Sequence, residues 1–133
     1  MQRRKFIQLS VISGAALGIS GIGCGEKHPA YLNLLEKPAA LSQICDLRTI
    51  RDIGMAYTLQ APVEAKAEKL ETLLMTDSAG KPVSPDVNAS IIQTLLEGKI
   101  KRDFETDNTV IVNGWVLAVT EARQCSLLFL HQQ

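Results

Sequence analysis

The chain reads as mainly α: a small helical domain of about four helices with one β-hairpin near the C-terminus, preceded by a signal segment. Three observations lead to this reading. Apolar residues recur at three- and four-residue spacing through "LRTIRDIGMAYTLQ" and "PVEAKAEKLETLLM", the repeat of helices with one buried face. Two β-rich runs, "TVIV" and "WVLAV", are joined by Asn113-Gly114, the pair that a two-residue hairpin turn demands. Residues 1–23 instead join a basic start to a weakly apolar run rich in Gly and Ser, the build of a targeting segment. With 133 residues, 46% hydrophobic and 21% charged, the remainder suffices for one globular domain.

The first element is "QRRKFIQLSVISGAALGISGIGC". Met1–Lys5 forms its basic region and Phe6–Gly23 its apolar one, diluted by Gln8, three serines and four glycines. A permanent span wants about 20 predominantly apolar residues, so a cleaved segment is expected. Gly14 and Gly18 have the spacing of packed membrane helices, which leaves a retained anchor as the alternative. "RRKFIQ" resembles the twin-arginine export signal, with Arg3, Arg4, Phe6 and Ile7 on the matching positions. That resemblance implies export to the periplasm or cell envelope of cargo that crosses the membrane already folded. "GIGC" resembles the lipoprotein cleavage box, which makes Cys24 a lipidated N-terminus; ordinary cleavage nearby, with Cys24 removed or left as a free thiol, is the other reading. More than one acyl chain gives stable membrane anchoring. Residues 24–38, through "GEKHPAYLNLLEKP", then serve as a tether.

The helical body is expected over 39–133. Pro38 suits the first turn of a short helix ending near Cys45. Asp46 caps the next, whose Leu47, Ile50, Ile53 and Tyr57 share one face. Pro62 opens a helix with an apolar stripe of Ala67, Leu70, Leu73 and Leu74, while Glu64, Lys66, Glu68, Lys69 and Glu71 make a solvated face. "TDSAGKPVSPD" is a loop. Ser84 caps and Pro85 starts the third main helix, with Val87, Ile91, Leu95 and either Leu96 or Gly98 inward, and Gly98 also a place to bend or break. Lys99, Lys101 and Arg102 read as its solvated side. The hairpin follows at about 109–119, and Thr120 caps a closing helix with Ala122, Cys125 and Leu128 facing inward and Leu127 as a further candidate. A lone hairpin is marginal in water, so this one is expected to pack on the helices.

Charge and motifs narrow the function. Setting aside Arg3, Arg4 and Lys5 leaves 11 basic against 14 acidic residues, a mildly acidic body that does not suit duplex nucleic acid. There is no G-x-G-x-x-G, Walker loop, G-x-S-x-G, H-E-x-x-H or C-x-x-C, so neither a cofactor, a metal nor a catalytic group is expected. His28 lies in the tether and His131 at the C-terminus, both read as exposed filler. Cys45 and Cys125 admit two readings: a disulfide in an oxidising compartment, or buried free thiols, which their apolar contexts favour. Trp115 either packs on the closing helix or anchors a partner.

One family shares the layout. "RRKFIQ", "LSQICDLRTIRDIGMAY" and "DNTVIVNGWVLAVTEARQC" resemble the small, twin-arginine-exported subunit of membrane-associated flavin dehydrogenases, the gluconate 2-dehydrogenase subunit 3-like family. The resemblance implies a helical, cofactor-free accessory subunit of an oxidoreductase complex. Its signal carries a flavin-containing dehydrogenase large subunit across the membrane and holds it at the envelope. Trp115, Val116 and Leu117, with the closing helix, are the candidate partner surface. A free-standing envelope lipoprotein, acting as a binding or structural module, is the rival.

Overall fold

Prolines stand at the caps of the first two helices, Pro29 at φ −58° and Pro38 at φ −62°, already in helical range. The computed structural model describes residues 29–133. The described chain is mainly helical, with six α-helices and one two-stranded antiparallel hairpin. In order these are α1 (Ala30–Glu36), α2 (Ala39–Ile44), α3 (Leu47–Gln60), a 3-10 turn (Pro62–Glu64), α4 (Ala67–Leu74) and α5 (Ala89–Glu105). Then come β1 (Thr109–Val112), β2 (Trp115–Ala118) and α6 (Val119–His131).

The closing helix α6 is the axis of the fold. Nine of its residues are buried, on all sides, as befits a helix surrounded by others. On one side Ala122, Cys125 and Leu128 join Ile50, Ile53 and Tyr57 of α3 and Val112 and Leu117 of the hairpin. On the other, Leu127 joins Leu32 and Leu35 of α1, Leu70 and Leu74 of α4, and Ile92 and Leu96 of α5. The closest approach is between α3 and α6. A Cβ on Gly54 would lie 2.0 Å from the Cys125 carbonyl oxygen, so only glycine lets the helices touch there. Beside this contact the Thr58 and Ser126 hydroxyls hydrogen-bond at 2.7 Å.

Several boundaries differ from those the sequence suggests. Residues 30–36, expected inside the tether, form α1. Seven residues are too few for an isolated helix. Burial of Leu32 and Leu35, about 1.5–3 kcal/mol each, holds it in place. The third main helix starts at Ala89 rather than Pro85: Asn88 caps it, accepting from Ser90 N at 3.1 Å. Of its expected inward residues Leu96 is buried, whereas Ile91 is exposed and Ile92 takes its place in the core. The helix runs unbroken through Gly98. The segment after Pro62 makes a 3-10 turn before α4 begins at Ala67. The closing helix begins at Val119, so Thr120 lies within its first turn, buried, and is not its cap.

The end of the bundle beside β2 is tied by carboxylates. Asp103 of α5 accepts from Thr120 N at 2.8 Å and Glu121 accepts from Ala118 N at 3.0 Å. Both satisfy N–H groups that a helix start leaves open, and both place negative charge at the positive end of the α6 dipole. Burial, and then Asp103, push the Glu121 carboxyl above its ordinary pKa. Lys99, read as solvated, is half-buried. Its ammonium donates to Leu73 O at 2.6 Å and Thr76 O at 2.7 Å, closing the C-terminus of α4.

Candidate partner-facing surface

The hairpin shows how the strand repeat sorts the proposed partner residues. Asn113 and Gly114 take φ of 51° and 84°, the left-handed pair of a tight two-residue turn. The register pairs Val112 with Trp115, Ile111 with Val116 and Val110 with Leu117. Side chains alternate between faces, so Trp115 and Leu117 share one and Val116 takes the other. Leu117 is 2% exposed, and Trp115 is half-buried against the α3 side of the core. Neither lies on the outward face of the hairpin.

Val116 does face outward, at 61% exposed, and stands opposite Ile111 at 67%. The two form one apolar cross-strand pair in solvent. Ile111 was absent from the expected surface, though the alternation of "TVIV" was the signal that could have found it. Nine residues of α6, which was also expected to contribute, are buried. A second apolar ridge lies on the outer side of α3. Met55 and Leu59 are one turn apart there, and Val63 follows in the 3-10 turn.

The polar side chains between elements act as structural clamps. Glu64 of the 3-10 turn receives Arg123 of α6 at 2.7 Å (Nε to Oε1) and 3.2 Å (Nη2 to Oε2), a two-pronged pair. The Tyr57 hydroxyl donates to the same carboxylate at 3.2 Å. Burial, reinforced by the Glu64 charge, pushes Tyr57 up to about pKa 12, so it stays protonated at neutral pH. His131 is half-buried rather than exposed filler: its Nδ1 contacts Glu36 Oε2, and its Nε2 lies 3.5 Å from Glu71 Oε2. The acidic face read as solvated thus supplies two tertiary contacts, through Glu64 and Glu71. Among the described residues no group of three or more His, Cys, Asp or Glu is placed to hold a metal ion.

The structure holds Cys45 and Cys125 as free thiols, Cys45 half-buried and Cys125 buried. Cys125 is wholly buried in the α3–α6 core, with Cys45 packed at its edge. Burial raises the pKa of both thiols, strongly for Cys125. A thiol as fully desolvated as that of Cys125 is a poor nucleophile.

The expected export residues Arg3, Arg4, Phe6 and Ile7, the lipidation residue Cys24 and His28 lie outside the described residues. No helix among the described residues is long and apolar enough to cross a membrane. No family model, curated protein or solved structure matches the chain.

Proposed function

We propose that the chain is a non-catalytic accessory subunit that escorts a flavin-dependent sugar or alcohol dehydrogenase to the cell envelope and anchors it there. The observation that carries this reading is the paired-arginine stretch Arg3, Arg4, Phe6 and Ile7 ahead of a small helical body. A flavin is inserted in the cytoplasm, so its apoprotein folds there, and one signal serves two chains if their interface survives transit. Lipid on Cys24 supplies the anchor in this scheme. A stable interface buries on the order of 1,600 Å2 around an apolar centre. Ile111 and Val116, solvent-exposed and directly opposed, are the proposed centre on this chain.

Purification of the tagged chain from membranes in mild detergent tests the proposal. A yellow, flavin-containing partner in stoichiometric amount is expected. Ile111→Asp with Val116→Asp, which leaves the core untouched, is expected to reduce its recovery more than tenfold. Recovery of the chain alone supports the free-standing envelope module instead.

A further inference from the structure

The turn of the hairpin carries chemistry of its own. A backbone nitrogen can attack the side-chain amide of the asparagine before it, and glycine, having no Cβ, hinders that attack least. Asn113 and Gly114 are such a pair. Both are exposed, and a Cβ built on Gly114 meets nothing within 4 Å. The strand ladder closes at Val112 and Trp115, so the Gly114 N–H lies outside it. The other asparagines lack this combination. Asn33 lies inside α1 and precedes Leu34. Asn88 accepts from Ser90 N as the cap of α5 and precedes Ala89. Asn108 donates to Asp103 Oδ1 at 3.1 Å and precedes β-branched Thr109.

We propose that Asn113 is a site of spontaneous deamidation whose isoaspartyl product takes the hairpin out of register. The Gly114 nitrogen bonds to Asn113 Cγ, and the Cγ–Nδ2 bond breaks. Ammonia leaves with the proton given up by Gly114, and a succinimide ring remains. Ring closure rotates the Asn113–Gly114 peptide out of the left-handed turn, where Asn113 has φ of 51°, so it proceeds from conformers with the tip open. Water then opens the ring, and no oxidant or reductant takes part. Where the bond from the nitrogen to Cγ breaks, aspartate results, which suits the same tight turn. Where the bond to the main-chain carbonyl carbon breaks, the backbone runs through Cγ and the turn gains a methylene. Turn length sets register, so that product no longer pairs Val112 with Trp115 or Ile111 with Val116.

The site does not rest on the escort role. The full chain is incubated in mildly alkaline and mildly acidic buffer, then mapped by tryptic peptides and mass spectrometry. One peptide, residues 103–123, holds Asn113 and Asn108 together, so each controls for the other. Asn113 is expected to convert at least about tenfold faster than Asn108, and faster still at the higher pH, because the attacking nitrogen must lose its proton. Aspartyl and isoaspartyl products are both expected. In NMR spectra of the labelled chain, the isoaspartyl form is expected to lose the cross-strand contact between Ile111 and Val116. The Asn113→Gly chain incubated alongside, whose Gly-Gly pair suits the same turn, is expected to keep it. Should Asn113→Gly not form the hairpin, the spectrum of the isoaspartyl form decides. Equal rates at Asn113 and Asn108, aspartate as the sole product, an isoaspartyl form that keeps the contact, or its loss on incubation of Asn113→Gly as well overturns the proposal.

Discussion

Cys125 illustrates how completely packing controls chemistry at a single residue. Its thiol has no exposed surface, and burial, followed by the Glu121 charge, disfavours the thiolate. In the folded chain with Cys24→Ser, iodoacetamide is expected to modify Cys45 well before Cys125, which reacts only on unfolding. Mass spectrometry of timed samples checks this; equal rates contradict it. Asp46 offers a second test. Hydrogen bonds from Thr49, side chain first and then backbone, hold its carboxyl below the usual 3.8. A depressed folded pKa stabilises above the unfolded value and is lost as pH falls through the folded one. The advantage of the native chain over Asp46→Asn, which caps at any pH, should therefore be present near pH 6 and vanish near pH 2 in urea melts. This cap was legible because its partner Thr49 is three residues away. The Arg123–Glu64 pair was not, since its partners are 59 residues apart and only the tertiary fold brings them together.

Two glycines in helices separate local propensity from packing. Gly98 is exposed, and a Cβ there meets nothing within 4 Å. Gly98→Ala should stabilise the protein by about 0.5–1 kcal/mol through helix propensity alone. Gly54 is the opposite case: the added Cβ strikes the α6 backbone, which no side-chain rotation relieves. Gly54→Ala should cost about 3 kcal/mol or more. Paired thermal melts of the two variants check both signs. The sequence showed α3 and the hairpin clearly, because an Asp cap, a single apolar stripe and Asn113-Gly114 are all local signals. It was ambiguous for α5. "SIIQTLL" carries adjacent apolar pairs, Ile91–Ile92 and Leu95–Leu96, so the period fits two faces one residue apart. Contact with α1, α4 and α6 selects Ile92 and Leu96. For α1 there was little to read, since "AYLNLLE" owes its helix to what it packs against.

At the scale of the whole molecule, a fully buried last helix has a consequence for any escort. Residues 119–128 supply the core of both halves, so the body cannot hold together until the C-terminal segment is in place. Cargo that must be folded before it moves therefore requires the complete chain. The hairpin then presents Ile111 and Val116 on its outer side as the proposed seat of a partner. The outward face of the hairpin was only partly visible beforehand: alternation separates Val116 from Trp115 and Leu117, whereas the burial of α6 depends on long-range packing.

In the proposed escort role a flavoprotein partner travels on the signal expected at Arg3 and Arg4. The most direct measurement is the distribution of the flavin dehydrogenase between cytoplasm and envelope when Arg3 and Arg4 are both replaced by Lys. The escort role predicts that this chain and the flavoprotein accumulate together in the cytoplasm, folded and flavin-loaded. A flavoprotein that reaches the envelope undiminished, with this chain left behind or unaffected, contradicts it.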